Sequence, residues 1–117
     1  MAAPPTLDGL ERAIKRVLVE RVARIRIIAS WKQAAGIEWD EGTERIGTLW
    51  IDPMQRGIGW CVMHEVTHYV WRHEQWGELE EGRIEADSNA VWQRIEKSYR
   101  RYWWWRRFLA AKLVGGV

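Results

Sequence analysis

Two histidines and a glutamate near the middle of the chain have the residue types and the spacing of a metal site. His64 and His68 lie four residues apart, and Glu65 directly follows the first of them. Residues four apart lie on the same face of an α-helix, so both imidazoles can bind one divalent ion. Zn²⁺ takes imidazole nitrogens as ligands, and a carboxylate beside it can act as a general base toward water. The spacing therefore predicts a zinc site with Glu65 as its base.

The residues around this segment favour a helix. Apolar side chains recur at helical spacing on the side away from the two histidines: Val62, Val66, Tyr69 and Val70. Histidine is scarce, with three residues in 117, and two of the three lie in the pattern. Chance placement of two histidines at this spacing is therefore a weaker explanation than a metal site.

The segment resembles the HExxH motif of zinc metallopeptidases. One large group, the metzincins, has a further histidine six residues after the second one and a glycine between them. Here Glu74 and Trp71 occupy those two positions, so the metzincin pattern is excluded. The third metal ligand must come from elsewhere in the chain, because a catalytic zinc normally has three protein ligands.

A second motif lies downstream, where Glu85 is followed by Ser88 and Asn89. This spacing resembles the glutamate-ligand helix of the gluzincins, and the resemblance covers about residues 46 to 92. The small size and the order of a strand followed by a helix are most similar to ImmA/IrrE-type domains. The minigluzincins are the neighbouring possibility.

The gluzincin resemblance implies a role for each residue of the second motif. Glu85 would be the third zinc ligand, and Asn89 would orient one of the ligand histidines. Such an orienting partner makes physical sense, because a ligating histidine needs its second ring nitrogen held in place. Two other acids, Glu81 and Asp87, compete with Glu85 for the third position.

The resemblance also implies the activity: hydrolysis of a protein or peptide substrate, for which a transcriptional repressor is one class. A strand at residues 46–51 would border the cleft and pair with bound peptide. Gluzincins also use a second donor to the oxyanion. The candidates in this sequence are His73, Tyr99, Tyr102 and Arg83.

Length and composition limit the other possibilities. The chain has 117 residues and a formal net charge of +2, which predicts a single domain spanning residues 1–117 and no partner class from global charge. The single cysteine, Cys61, excludes an internal disulfide and is expected to be a buried side chain. The first residues lack the features of a signal peptide. A cytoplasmic location is therefore expected.

Hydrophobic periodicity predicts an α+β fold that is mainly helical. A helix is expected at residues 7–22, with Thr6 as its N-cap. Strands are expected at residues 23–27, 36–39 and 46–51, and a turn is expected at residues 40–43. Continuation of the first helix is the alternative for residues 23–27. These strands would form a short antiparallel sheet before the HExxH helix. Residues 83–114 predict a long C-terminal helix, or two shorter ones.

The C-terminal region has an unusual composition. Between Lys97 and Lys112 there are six basic residues and no acid, and residues 103–105 are three consecutive tryptophans. Packing or self-association, binding to an anionic membrane and binding to nucleic acid are all compatible with this pattern. The alternative function is therefore a zinc-stabilised binding module that uses this basic, Trp-rich helix to contact nucleic acid, a membrane or a protein.

Overall fold

The computed structural model describes residues 6–27, 35–39, 46–51, 57–77 and 80–114 of the chain. Within these residues the helices are α1 (Leu7–Arg21), α2 (Ile58–Glu74), α3 (Glu81–Lys97) and α4 (Tyr99–Lys112). The strands are β1 (Val22–Ile27), β2 (Ala35–Trp39), β3 (Ile46–Ile51) and β4 (Leu113–Val114). The prediction of a mainly helical chain is confirmed. The predicted turn at residues 40–43 lies outside the described residues.

The sheet is mixed, with the strand order β2-β3-β1-β4. The antiparallel arrangement expected from the sequence is present only between β2 and β3. β1 pairs in parallel with both β3 and β4, with Val22 opposite Ile46 at one end of the first pair. Alternating apolar residues identify strands but carry no information about direction, which explains why the predicted sheet differs from the observed one.

Strand β3 lies in the interior of this sheet, which corrects the prediction that it forms the rim for bound peptide. It pairs with β1 on one side and with β2 on the other. Both edges of its backbone are therefore occupied, and it cannot accept an added peptide strand. The outer strand of the described sheet on this side is β2.

Helix α1 begins and packs as its sequence predicts. The Thr6 hydroxyl accepts a hydrogen bond from the backbone N–H of Gly9 at 3.2 Å, which caps the first turn. One face of the helix is buried, and it consists of Leu10, Ile14, Val17 and Leu18. At Val22 the backbone becomes extended and the chain continues directly into β1. The strand prediction for residues 23–27 is confirmed over the helical alternative.

Helix α2 lies at the centre of the hydrophobic core. Its apolar stripe is buried as predicted, and the single cysteine, Cys61, is buried beside it. The residues that α2 contributes to the core are Cys61, Val62, Met63, Val66, Tyr69 and Val70. Burial of this stripe fixes the rotation of the helix, so the opposite face carries His64 and His68 outward from the core.

The C-terminal region consists of two helices, which is the second of the two possibilities that the sequence leaves open. Ser98 has extended backbone angles, with φ −115° and ψ 119°, and it ends α3. Its hydroxyl accepts a hydrogen bond from the N–H of Arg101 at 3.3 Å, which caps α4. The inner face of α4 contributes Trp105 and Phe108 to the core. No helix in the described part of the chain is long and apolar enough to cross a bilayer.

Candidate metal centre

Three side chains from two helices converge on one point. The Nε2 atom of His64 lies 2.9 Å from one carboxylate oxygen of Glu81, and the Nε2 atom of His68 lies 3.0 Å from the other. The donor atoms of all three residues lie within 4.8 Å of one another. The His64 and His68 side chains are 13% and 26% exposed, whereas Glu81 is 65% exposed. The cluster is therefore held by the protein on the histidine side and opens to solvent on the Glu81 side.

The helix pair α2 and α3 brings these residues together. Trp60 contacts Asn89 near one end of the pair, and His68 contacts Glu81 near the other end. The contact positions run in opposite directions along the two helices, so the helices are antiparallel. They approach closely at Gly59, where a β-carbon would overlap the Trp92 ring. A glycine at this position lets α3 lie near enough for Glu81 to reach the histidines.

The donor set and its spacing fit a zinc ion. Two imidazole nitrogens and one carboxylate form a common ligand set of catalytic zinc, which leaves one position for water or substrate. Bonds of about 2.0–2.2 Å in a tetrahedron place ligand atoms about 3.3–3.6 Å apart. The two histidine Nε2 atoms lie 2.9 and 3.3 Å from the same Glu81 oxygen, Oε1, which is close to this spacing.

The carboxylate in this cluster is Glu81, and not Glu85 as the gluzincin resemblance implies. Among the described residues, the group that could hold a metal ion consists of His64, His68 and Glu81. Glu81 and Glu85 lie one helical turn apart on the same face of α3, so periodicity alone cannot choose between them. The choice depends on how far α3 is shifted along α2. The other competing acid, Asp87, forms an ion-pair contact with Arg83 at 3.9 Å instead.

Asn89 also differs from its predicted role, because it holds a tryptophan rather than a ligand histidine. Its side-chain oxygen accepts a hydrogen bond from the Trp60 indole N–H at 2.5 Å. The Trp60 ring in turn stacks on the His64 ring, with centroids 4.7 Å apart and an interplanar angle of 19°. The buried Nδ1 atom of His64 has no hydrogen-bond partner among the described residues. Ring stacking therefore positions this imidazole.

Trp60 is a site residue that the sequence analysis does not identify. A signal for it exists, because Trp60 precedes His64 by four residues and so lies on the same helical face. Trp60 also lies opposite Asn89 in the antiparallel helix pair. The Asn89 amide oxygen therefore accepts its hydrogen bond from the Trp60 indole N–H.

Glu65 lies beside the cluster and has an unusual environment for a carboxylate. Burial raises the pKa of Glu65 above its ordinary value of 4.5, and the negative charge of Glu81 adds to this effect. The neighbouring His64 and His68 lower the pKa and oppose the shift. A carboxylate with a raised pKa is a stronger base, so it is better suited to accept a proton from water.

The four predicted oxyanion or substrate contacts lie away from the cluster in the described structure. His73 stacks on Tyr69, with ring centroids 5.6 Å apart, and its Nε2 atom lies 3.1 Å from Nη1 of Arg21. The guanidinium of Arg83 lies 4.8 Å from the centre of the Trp71 ring.

Tyr99 and Tyr102 are on α4, beyond the far end of α3, and are 85% and 39% exposed. Within the described residues, the structure does not bring His73, Arg83, Tyr99 or Tyr102 into contact with the metal cluster. The second oxyanion donor expected from the resemblance is therefore not identified among them.

Comparison with known proteins adds no relative to this description. No protein-family model matches the chain, and neither the curated proteins nor the solved structures contain a significant match.

Proposed function

We propose that this chain is a zinc-dependent peptidase. One observation carries the proposal: His64, His68 and Glu81 converge within 4.8 Å, beside the partly buried Glu65 of the same helix as the histidines. This combination of two imidazoles, one ligating carboxylate and one adjacent carboxylate is the set that metal-assisted hydrolysis requires. A purely structural zinc site would have four protein ligands and no need for Glu65.

The chemistry divides between the ion and the protein. Zinc, when bound, supplies a Lewis acid that polarises the scissile carbonyl and makes water a better nucleophile. His64, His68 and Glu81 hold the ion, and the stacked Trp60 ring keeps the His64 imidazole in place. Glu65 accepts the proton of the attacking water and then donates it to the leaving amine. Burial raises the pKa of Glu65, which makes its carboxylate a stronger base toward that water.

The substrate that fits this site is a protein or peptide in an extended conformation. The cluster opens to solvent on the Glu81 side, so a flexible chain can approach it without unfolding the domain. In this proposal the fold is a zincin-like α+β domain, the outer strand β2 replaces β3 as the edge that can pair with substrate, and the location is cytoplasmic. A repressor remains the substrate class that the ImmA/IrrE resemblance implies.

Metal content and proteolysis of the Glu65→Gln variant test the proposal together. Purified wild-type protein should contain about one zinc per chain and cleave an unstructured protein such as reduced casein. Glu65→Gln should retain the zinc and lose at least about 100-fold in cleavage rate. Glu74→Gln, at the exposed end of the same helix, is the matched control and should cleave like wild type. Wild-type protein that binds zinc but cleaves no peptide would contradict the peptidase.

A zinc-stabilised binding module is the second candidate. It is favoured by the exposed aromatic and basic surface of α4, where Tyr99 and Trp103 are 85% and 57% exposed. In such a module the metal would maintain the fold, and Glu65→Gln would leave every activity unchanged. The same variant therefore separates the two candidates.

A further inference from the structure

A basic groove lies between helices α1, α3 and α4. Its volume is about 610 Å³, within the range of sites that bind small ligands. Five cationic side chains and a single carboxylate line it, so its net charge is +4. The charged residues are Arg12, Lys15, Arg100, Arg101, Arg107 and Glu11. We call this feature the α1/α4 groove.

The single carboxylate of the groove is already engaged. Glu11 forms an ion pair with Arg101, in which the Nε and Oε1 atoms are 2.8 Å apart. Its other carboxylate oxygen lies 3.6 Å from Nη2 of Arg94. Lys15 lies over the Trp104 ring, with its ammonium nitrogen 5.2 Å from the ring centre. Among the described residues, no carboxylate forms an ion pair with Arg12, Lys15, Arg100 or Arg107. Arg12 has a nearby negative charge in Asp8, whose own ion pair is with Arg94. The cations that line the groove still outnumber the carboxylates near it, so the groove attracts a polyanion.

Exposed aromatic rings lie beside these cations. Tyr99, Tyr102 and Trp103 are 85%, 39% and 57% exposed, and their spacing places them on one face of α4. Trp103 also lines the groove. Large exposed rings cost free energy in water, and their position next to the cations of the groove indicates a ligand that is both anionic and planar.

The face of α4 that a membrane would use is already covered. Two of its large apolar side chains, Trp105 and Phe108, are only 3% and 7% exposed because they pack in the core. A helix that lies on a bilayer needs an apolar face to bury among the acyl chains. The outer face of α4 instead combines three aromatic rings with arginines, which matches the bases and phosphates of a nucleic acid.

We propose that the α1/α4 groove binds single-stranded nucleic acid. Arg12, Lys15, Arg100 and Arg107 contact successive phosphates, and the exposed Trp103 ring stacks on an unpaired base. A duplex fits less well, because its bases are stacked on one another and cannot lie flat on Trp103. This inference does not depend on the peptidase: the groove residue Ile95 lies about 21 Å from Glu81 along α3.

Fluorescence anisotropy of a labelled oligonucleotide tests the proposal on the whole 117-residue chain, with zinc in the buffer. The probe is an oligo-dT of roughly 12 nucleotides, and the same sequence as a duplex serves for comparison. With four phosphate contacts, the logarithm of affinity should fall against the logarithm of salt concentration with a slope of about −2.8. Affinity should therefore drop about 50-fold between about 50 and 200 mM salt. The single strand should bind more tightly than the duplex.

Paired variants separate the groove from general positive charge. Arg12→Glu with Arg107→Glu should weaken binding at least about 10-fold and reduce the magnitude of the salt slope by about 1.4. The control is Arg16→Glu with Arg106→Glu, which makes the same change in charge. Arg16 lies one helical turn after Arg12, and Arg106 directly precedes Arg107. Both control residues are exposed and do not line the groove. This control should have a clearly smaller effect on binding.

Trp103→Ala should weaken binding about 5- to 150-fold, whereas Trp103→Phe retains most of the affinity because it keeps a ring that can stack. Circular dichroism confirms that each variant is folded. Glu65→Gln should bind the oligonucleotide like wild type, so failure of the peptidase leaves this test intact. No binding of wild type to the single strand, equal binding by the two charge variants, or unchanged binding by Trp103→Ala would each overturn the proposal. Tighter binding to phosphatidylserine vesicles than to oligo-dT would assign the groove to membranes instead and overturn it as well.

Discussion

Replacing Glu81 with glutamine should remove the third ligand of the proposed zinc site. The carboxylate of Glu81 contacts the Nε2 atoms of both His64 and His68, at 2.9 and 3.0 Å. A zinc site with four ligands binds with about 10–16 kcal/mol, or about 2.5–4 kcal/mol for each ligand if they share it equally. Loss of one ligand should therefore weaken zinc binding about 10²–10³-fold.

Competition with a chromophoric zinc chelator measures this change directly. Each variant is first stripped of metal and then titrated with zinc in the presence of the chelator at constant pH. Thermal melting supplies a second measurement, because an ion that binds only the folded chain stabilises it. At a free zinc concentration of 100 times Kd, the stabilisation is about 2.7 kcal/mol. Glu81→Gln should lose most of it at the same zinc concentration.

The comparison with Glu85→Gln decides between the structure and the gluzincin resemblance. Glu85 lies one turn from Glu81 on the same face, so the two substitutions remove the same charge from nearly the same place. We expect Glu85→Gln to weaken zinc binding less than about 10-fold, a long-range charge effect without loss of a ligand. Glu80→Gln, at the exposed N-cap of α3, is the control for charge alone. A large loss for Glu85→Gln with near-normal binding by Glu81→Gln would refute the geometry described above.

Three further predictions concern stability, measured by thermal or urea unfolding in the presence of chelator. Burial raises the pKa of Glu65 in the folded chain above its ordinary value of 4.5, because the charged carboxylate is costly to bury. The folded chain therefore loses stability as the pH rises through this raised pKa. Glu65→Gln should therefore melt higher than wild type at neutral pH, and the difference should vanish at pH values below about 4. Gly59→Ala should destabilise the chain by about 1–3 kcal/mol, because the added methyl overlaps the Trp92 ring. Phe108→Ala should cost about 3–5 kcal/mol, whereas the exposed Tyr99→Ala should stay within about 0.5 kcal/mol of wild type.

Each of these has a clear contrary result. A lower melting temperature for Glu65→Gln at neutral pH would mean that the ionised Glu65 carboxylate stabilises the folded chain through a partner. It would contradict the prediction that the buried charge destabilises the fold. An unchanged Gly59→Ala variant would mean that α2 and α3 do not approach as closely as described. Equal effects of Phe108→Ala and Tyr99→Ala would mean that α4 does not pack against the core through its Phe108 face.

Local features of the fold follow from the sequence, whereas relations between elements do not. Thr6 as the cap of α1 and the buried stripe of α2 depend on neighbouring residues, and both predictions are confirmed. The break at Ser98 also depends on neighbouring residues. Serine is a preferred N-cap residue, so Ser98 could have indicated that a new helix begins after it. The parallel pairing of β1 with β3 depends on contacts between distant segments, and periodicity does not contain that information.

The same distinction explains the site. His64, Glu65 and His68 lie on one helix, so their spacing alone predicts that they share a region of the surface. The third carboxylate comes from another helix, and a shift of one turn along α2 exchanges Glu81 for Glu85. Residue type therefore predicts the chemistry of the site, while the packing of α3 decides which acid supplies it.

Helix α3 connects the two surfaces that we propose to be functional, and its length keeps them independent. Its first turn supplies Glu81 to the histidines. Its later turns supply Val91 and Ile95 to the basic groove, about 15 and 21 Å away along the helix. At physiological ionic strength, charges interact over only about 8 Å through solvent. Phosphates bound in the groove therefore leave the electrostatics of Glu65 and the metal ligands nearly unchanged. A bound nucleic acid would act on the peptidase by holding the enzyme near a substrate, which changes the apparent KM for that substrate and not kcat.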